Sequence, residues 1–273
     1  MDVPDRPPAG RFPPSERELI VEGRGWHLHE AGPPAAPPVV LVHGYHGSGR
    51  FFVPVMRALA DRWHVLAPDL PGHGASAPWP PGEEAVEQWQ LLDGMLGAIG
   101  VRGAALVGHS RGGIVCAQLC ARRPDRARSL LVFGTPGRPY QVGTLDIMRM
   151  FVDPSALPPG LLGEVRACSA AARAYDEARA RAVARGDIER DLTPVLPSVR
   201  VPALVLWGER DTTVPREAAR HIADLVPGAE WRVVRGAGHM WPLEEPAAFA
   251  AEARAFLERA PPAGPGAQAF RTP

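Results

Sequence analysis

Several protein classes need features of which this chain has little. It carries three cysteines, an odd number that cannot all pair, and Cys116 and Cys120 fall four apart on one expected helix. Buried free thiols are therefore expected in place of a disulfide framework. Net charge is absent too: Lys plus Arg and Asp plus Glu each total 30, and no run of like charge suggests a nucleic-acid partner. No unbroken apolar stretch approaches the length of a membrane span. The N-terminal MDVPDRPPAGRFPPSER has prolines and charges where a signal peptide needs an apolar core, so no membrane partner and a cytoplasmic location are expected. What is plentiful is ordinary globular composition, 45% hydrophobic and 22% charged over 273 residues. That is enough to bury a sheet between two helical layers, in one main domain with an insertion.

Residues 1–14 and 260–273 are rich in Pro, Gly and Ala without apolar periodicity and are expected to be flexible tails. Between them, short β-type runs alternate with helical patterns. The runs are VVLVHG, WHVLAPD, AALVGHS, SLLVFGTP, ALVLWGERD and EWRVVRGAGH; helices are expected over 51–61, 83–99, 111–122, 215–225 and 244–259. Two earlier runs, ELIVEG and WHLHEAG, suit an antiparallel edge hairpin. The fold class is thus α/β, a mostly parallel eight-stranded sheet flanked by helices. The core takes residues 15–136 and 200–259. Residues 137–199 break the rhythm with prolines and an Ala/Arg-rich helical pattern, and are expected to form a helical cap.

Gly108-His109-Ser110-Arg111-Gly112 follows the strand AALV and opens the helix GGIVCAQLCARR. A nucleophile exposed at a strand end needs a tight, strained turn, and the flanking glycines remove the crowding that side chains would cause there. The following helix aims its N-terminus at Ser110, where negative charge would develop. A serine hydroxyl needs a base within reach and a third group to orient that base. His239 in GAGHMWPLEEP and Asp211 in GERDTTVP both follow strands and so arrive at the carboxyl edge of the sheet. After VVLV, the turn HGYHGS presents the Tyr45 backbone N–H, which with that of Arg111 makes a two-donor oxyanion site.

In order along the chain, HGYHGSG, APDLPGHGAS, GHSRGG, LWGERDTTVP and GAGHMWPLEEP resemble the α/β-hydrolase superfamily. The resemblance runs from about residue 18 to 257 and is strongest to the serine-nucleophile esterase, C–C hydrolase and haloperoxidase-like branch. It implies a catalytic triad of Ser110, Asp211 and His239, an oxyanion hole at Tyr45 and Arg111, no cofactor and no metal. Members with an aspartate nucleophile, the haloalkane dehalogenases and epoxide hydrolases, have Asp where this chain has Ser110, which disfavours those activities.

Other readings are blander. Ser110 as a helix cap, His239 as a loop histidine and Asp211 as a turn residue are each weaker against the whole constellation. Glu209 is the fallback acid. His43 and His46 sit three apart but lack a third metal ligand nearby. His73, His109 and Asp69 read as loop braces, and the Arg111 side chain as one half of an internal ion pair in preference to a substrate clamp. Phe51, Phe52, Tyr140, Met148, Phe151 and Trp241 form a candidate apolar pocket, or ordinary core. The expected reaction is hydrolysis of an ester, lactone or thioester of a small apolar substrate. C–C cleavage, acyl transfer or cyclisation on the same three residues, and a non-catalytic small-molecule receptor, stay open. Neither the substrate nor the oligomeric state is legible.

Overall fold

The computed structural model describes residues 12–45, 47–78, 87–140, 186 and 189–260. Strands β1 (Ser15–Val21) and β2 (Arg24–Ala31) pair antiparallel across a two-residue turn. Glu22 and Gly23 both take positive φ there, 52° and 75°, the turn handedness that matches strand twist. The other strands are β3 (Pro38–Val42), β4 (His64–Pro68), β5 (Ala104–His109), β6 (Ala127–Phe133), β7 (Ala203–Gly208) and β8 (Glu230–Val234). They form one sheet in the order β1-β2-β4-β3-β5-β6-β7-β8. β2 meets β4 antiparallel and all later pairs are parallel. The chain moves outward from β3 to β4, then returns to β5 on the other side of β3. The strand order therefore reverses between β3 and β5, and in open α/β sheets the crevice at such a reversal is where ligands bind.

Both sheet faces are covered, which is why the central strands read as continuous apolar runs. Val40, Val42, Leu66, Leu106, Leu130, Val132 and Val205 face one side. There they meet α2 (Gln88–Ala98), α3 (Arg111–Arg122) and α4 (Arg216–Leu225) through Leu92, Ile114, Cys116 and Ile222. Their alternate neighbours, among them Val39, Leu41, Val65, Val107, Leu131, Phe133 and Leu206, face the other side. That face packs on α1 (Val53–Leu59), α5 (Trp241–Glu244) and α6 (Pro246–Arg259). Burial raises the thiol pKa of both Cys116 and Cys120, which are free, and keeps them unreactive. Cys168 lies outside the described residues.

Helix ends differ from the sequence expectation for local reasons. The expected helix over 83–99 starts at Gln88, where Glu87 and Gln90 form a reciprocal capping box that satisfies two orphan N–H groups; residues 83–86 lie outside the described residues. A 3-10 turn, Gly49–Phe52, precedes α1. The expected helix over 244–259 is divided because Glu245, which precedes Pro246, is driven out of helical geometry to φ −135°. Most of segment 137–199 lies outside the described residues, but its two ends meet. The Gly137 N–H donates to the Ala218 carbonyl at 2.8 Å, and the Leu192 N–H to the Gly137 carbonyl at 3.1 Å. No described helix is long and apolar enough to cross a membrane.

The start of α3 lies so close to β3 that a Cβ at Gly112 would sit inside the van der Waals shells of the Val42 and His43 carbonyl oxygens. Those atoms are backbone and cannot swing aside. Gly112→Ala should lower stability by about 1–3 kcal/mol or more, read as a drop in the urea midpoint at unchanged m-value.

Candidate active site

Ser110 sits between β5 and α3 with φ 53° and ψ −123°. Positive φ is uncommon for a residue with a Cβ, and with this ψ the conformation lies outside the left-handed helical well. Neighbouring backbone holds it there: the Ser110 N–H donates to the Phe133 carbonyl at 2.9 Å, and its own carbonyl accepts the Gly113 N–H at 2.9 Å. The Ser110 side chain is thereby set at the N-terminus of a helix 12 residues long, whose dipole favours negative charge.

Asp211 follows β7 and His239 follows β8. The Asp211 carboxylate is fixed from both sides. Oδ1 accepts the Thr213 and Val214 N–H groups at 2.8 and 3.0 Å, and Oδ2 lies 2.8 Å from His239 Nδ1. Burial pushes the Asp211 pKa up. The His239 charge, the bond from His239 and the two backbone N–H groups outweigh it and hold the carboxyl below its ordinary value. As an ionised acceptor, Asp211 accepts a hydrogen bond from His239 Nδ1–H, which keeps the proton on that nitrogen and leaves Nε2 as the basic one. Glu209 instead accepts the Gly236 N–H at 2.9 Å, so Asp211 is the acid joined to the imidazole.

The serine and the histidine approach the end of β6 from two directions. Ser110 is tied to Phe133. At the next residue, Gly134 with φ 57°, a Cβ would lie 3.0 Å from His239 Nδ1 and 3.1 Å from Asp211 Oδ2. On the β3 side, a Cβ at Gly44 would lie 3.0 Å from the Ser110 Cβ, so the Gly44-Tyr45 turn rests directly against the serine. Gly134 is a residue that motif reasoning passed over. Its signal was the glycine closing SLLVFG at the same sheet edge.

Three buried histidines brace this arrangement, as expected for His73 and His109. His43 Nε2 accepts the Leu70 N–H at 3.0 Å, so its Nδ1 carries the proton and donates to the Gly44 carbonyl at 2.8 Å. With both nitrogens engaged, His43 is no metal ligand; His46 lies outside the described residues. His73 Nε2 lies 3.1 Å from Arg111 Nη1, and its Nδ1 donates to the Pro71 carbonyl at 3.2 Å. The sequence reading favoured a carboxylate partner for Arg111, whereas this bond of its guanidinium goes to an imidazole. His109 Nε2 donates to the His239 carbonyl at 2.9 Å, with the two rings 4.9 Å apart. Asp69 accepts the N–H groups of Gly49 and Ala75 at 2.6 and 2.8 Å and so braces two loops.

Of the candidate pocket residues, Phe51, Phe52 and Trp241 belong to the core layer under α1 and α6. Trp241 packs 5.4 Å from Phe133 and 5.5 Å from Phe249. Tyr140 packs beside Trp207, Val214 and Ala218, and burial together with the charge of Asp211 raises its hydroxyl pKa. Met148 and Phe151 lie outside the described residues.

Residues 39–252 match the family model described as alpha/beta hydrolase family. The chain belongs to that family. It is 31% identical over 266 residues to the dihydrolipoyllysine-residue acetyltransferase component of an acetoin cleaving system from Pseudomonas putida, covering 90% of this chain and 70% of that protein. A 2-hydroxymuconate semialdehyde hydrolase from Pseudomonas putida is 26% identical over 276 residues, covering 89% and 94%. The solved structure of the esterase RhEst1 from a Rhodococcus species superposes with a TM-score of 0.73 at 25% identity, covering 90% and 100%. These relatives make the chain an enzyme of the alpha/beta hydrolase type.

The buried histidines make the fold acid-sensitive. Burial is the largest cause that lowers His43 to about 4, and burial followed by the His239 charge lowers His109 to about 3. Below the ordinary histidine value of 6.5, the unfolded chain takes up protons that these native rings refuse. The contribution of these two rings is therefore full above pH 6.5 and declines as pH falls towards 4 and then 3, by up to about 1.4 kcal/mol per pH unit for each ring, while His27, raised by Asp69, works more weakly in the opposite direction. Asp211, also depressed, adds a loss in the same direction below the ordinary Asp range. Urea midpoints measured from pH 7.5 to 4 should fall steadily below pH 6.5; a flat profile would contradict the neutral assignment of both rings.

Proposed function

We propose that the chain is a serine hydrolase that cleaves an ester, lactone or thioester of a small apolar substrate through an acyl-enzyme on Ser110. The observation that carries this reading is the strained Ser110 backbone at the mouth of α3, on the same sheet edge as an imidazole whose Nδ1 is locked onto a buried carboxylate. A serine that merely capped a helix would need neither the strain nor the locked base.

The steps follow from the atoms. His239 Nε2 accepts the Ser110 proton as Oγ attacks the substrate carbonyl. The developing oxyanion takes the backbone N–H groups of Tyr45 and Arg111, with the α3 dipole behind them. Asp211 stabilises the imidazolium that forms, without itself taking the proton. His239 then protonates the leaving group, activates a water for attack on the acyl-enzyme, and returns the proton to Ser110. No step needs a cofactor. Residues 137–199 would form the cap that shapes the acyl pocket.

C–C bond cleavage beside a ketone is the second reading, favoured by the 2-hydroxymuconate semialdehyde hydrolase as a relative over nearly its whole length. Acyl transfer to an alcohol or amine would use the same acyl-enzyme. A pure small-molecule receptor would have no use for the Asp211–His239 pair.

Ser110→Ala should cut kcat/KM on p-nitrophenyl butyrate by about ten-thousand-fold or more while leaving the urea midpoint in place. Undiminished turnover would remove Ser110 from the chemistry. Asp211→Asn should cost about ten-thousand-fold in kcat with little change in KM. Turnover of 2-hydroxymuconate semialdehyde exceeding that of every ester, lactone and thioester tried would move the assignment to the second reading.

A further inference from the structure

At the opposite edge of the sheet from Asp211 and His239, the β1–β2 hairpin gathers three side chains of metal-binding type. His27 and His29 are two apart on β2 and so project from one face, while Leu28 between them enters the core on the other. Glu16 on β1 is the direct cross-strand partner of His29, which places its carboxylate over both rings. Glu16 Oε2 lies 3.5 Å from His27 Nε2, and Oε1 lies 3.7 Å from His29 Nδ1. One ligand atom from each of the three residues fits within a mutual distance of 4.8 Å. We propose that Glu16, His27 and His29 bind a divalent transition-metal ion of the zinc class.

The two separations from Glu16 suit a shared ion better than direct contact. Zinc held at about 2.0–2.1 Å by tetrahedral ligands keeps neighbouring donor atoms roughly 3.3–3.5 Å apart. The observed nitrogen-to-oxygen gaps reach or exceed the limit of a hydrogen bond. The outer shell is also built. His27 Nδ1 lies 3.1 Å from Asp69 Oδ2, so Asp69 accepts that proton and turns the Nε2 lone pair towards Glu16. A carboxylate behind a ligating histidine is the usual way proteins fix its tautomer and raise its basicity. Asp69 is itself anchored by the Gly49 and Ala75 N–H groups, which makes the backing rigid.

Access and charge agree with this. The two imidazoles are buried, with side chains 11% and 4% exposed, while the Glu16 side chain is 61% exposed, leaving an approach from solvent. Glu16 and Asp69 supply two negative charges for a divalent cation, against the one positive charge of Arg50 that acts on His29. The ion would clamp β1 to β2 and, through Asp69, to the loop that begins at Gly49. It would stabilise the sheet edge and take no part in the chemistry at Ser110.

The test uses tag-free full-length protein stripped with a chelator and titrated calorimetrically with zinc chloride, with cobalt(II) as an optical probe. The expected result is one equivalent of zinc at a micromolar or lower dissociation constant. Cobalt should give visible bands that zinc abolishes, and zinc should raise the melting temperature by several degrees. Glu16 is exposed, so Glu16→Ala should fold normally, and it should weaken zinc binding at least ten-fold and remove the thermal shift. His29→Gln should do the same. Absence of zinc binding, or one-equivalent binding unchanged in both variants, would overturn the proposal. Either result leaves the role of Ser110 unaffected.

Discussion

The structure depends on one backbone conformation, that of Ser110 at φ 53° and ψ −123°. Such a conformation costs on the order of 1–3 kcal/mol for a residue with a Cβ, and it persists only where the surroundings over-determine it. Here β5 enters the turn paired with β3 on one side and β6 on the other, α3 leaves it almost wholly buried, and Gly108, Gly112 and Gly113 let the helix start approach β3, β5 and Thr135 more closely than any side chain would permit. The strain lifts the serine out of the sheet edge and aims the α3 N-terminus past it. Both effects come from a single choice of dihedral angles, and a relaxed turn would supply neither.

Around this elbow the histidines divide by the partners of their two nitrogens. His43 and His73 each have an N–H donor aimed at Nε2 and a carbonyl accepting from Nδ1, and such a ring is neutral and structural. His109 donates a hydrogen bond from Nε2–H to the His239 carbonyl and so positions the loop that carries His239. His239 has its carboxylate on Nδ1, which leaves the other nitrogen for proton transfer. The same side-chain type thus builds the frame and supplies the candidate base, and hydrogen-bond topology tells the two apart.

The motifs made the elbow and the Asp211–His239 pair legible, because each follows an apolar strand and parallel strands bring their carboxyl ends to one edge. Period and flanking residues also gave the eight strands and the edge hairpin. What stayed hidden depends on register and packing between distant segments. Gly134 touches His239 only because β6 lies between β5 and β7. Phe51, Phe52 and Trp241 read equally as pocket or core, and their place under α1 and α6 follows from the direction in which the strand ends turn. The grouping of Glu16 with His27 and His29 needs the register that sets Glu16 opposite His29. The break at Glu245 was legible in principle from Pro246, which disfavours helical geometry at the residue before it.

The most direct measurement of the central claim is peptide mapping after reaction with a fluorophosphonate. Trypsin releases residues 103–111, GAALVGHSR, in which Ser110 is the only hydroxyl side chain. The account predicts one phosphonyl group on that peptide, formed rapidly in the wild type and slowed by orders of magnitude in His239→Ala. An unmodified peptide after complete exposure to the reagent, or an adduct rate indifferent to His239, would contradict it.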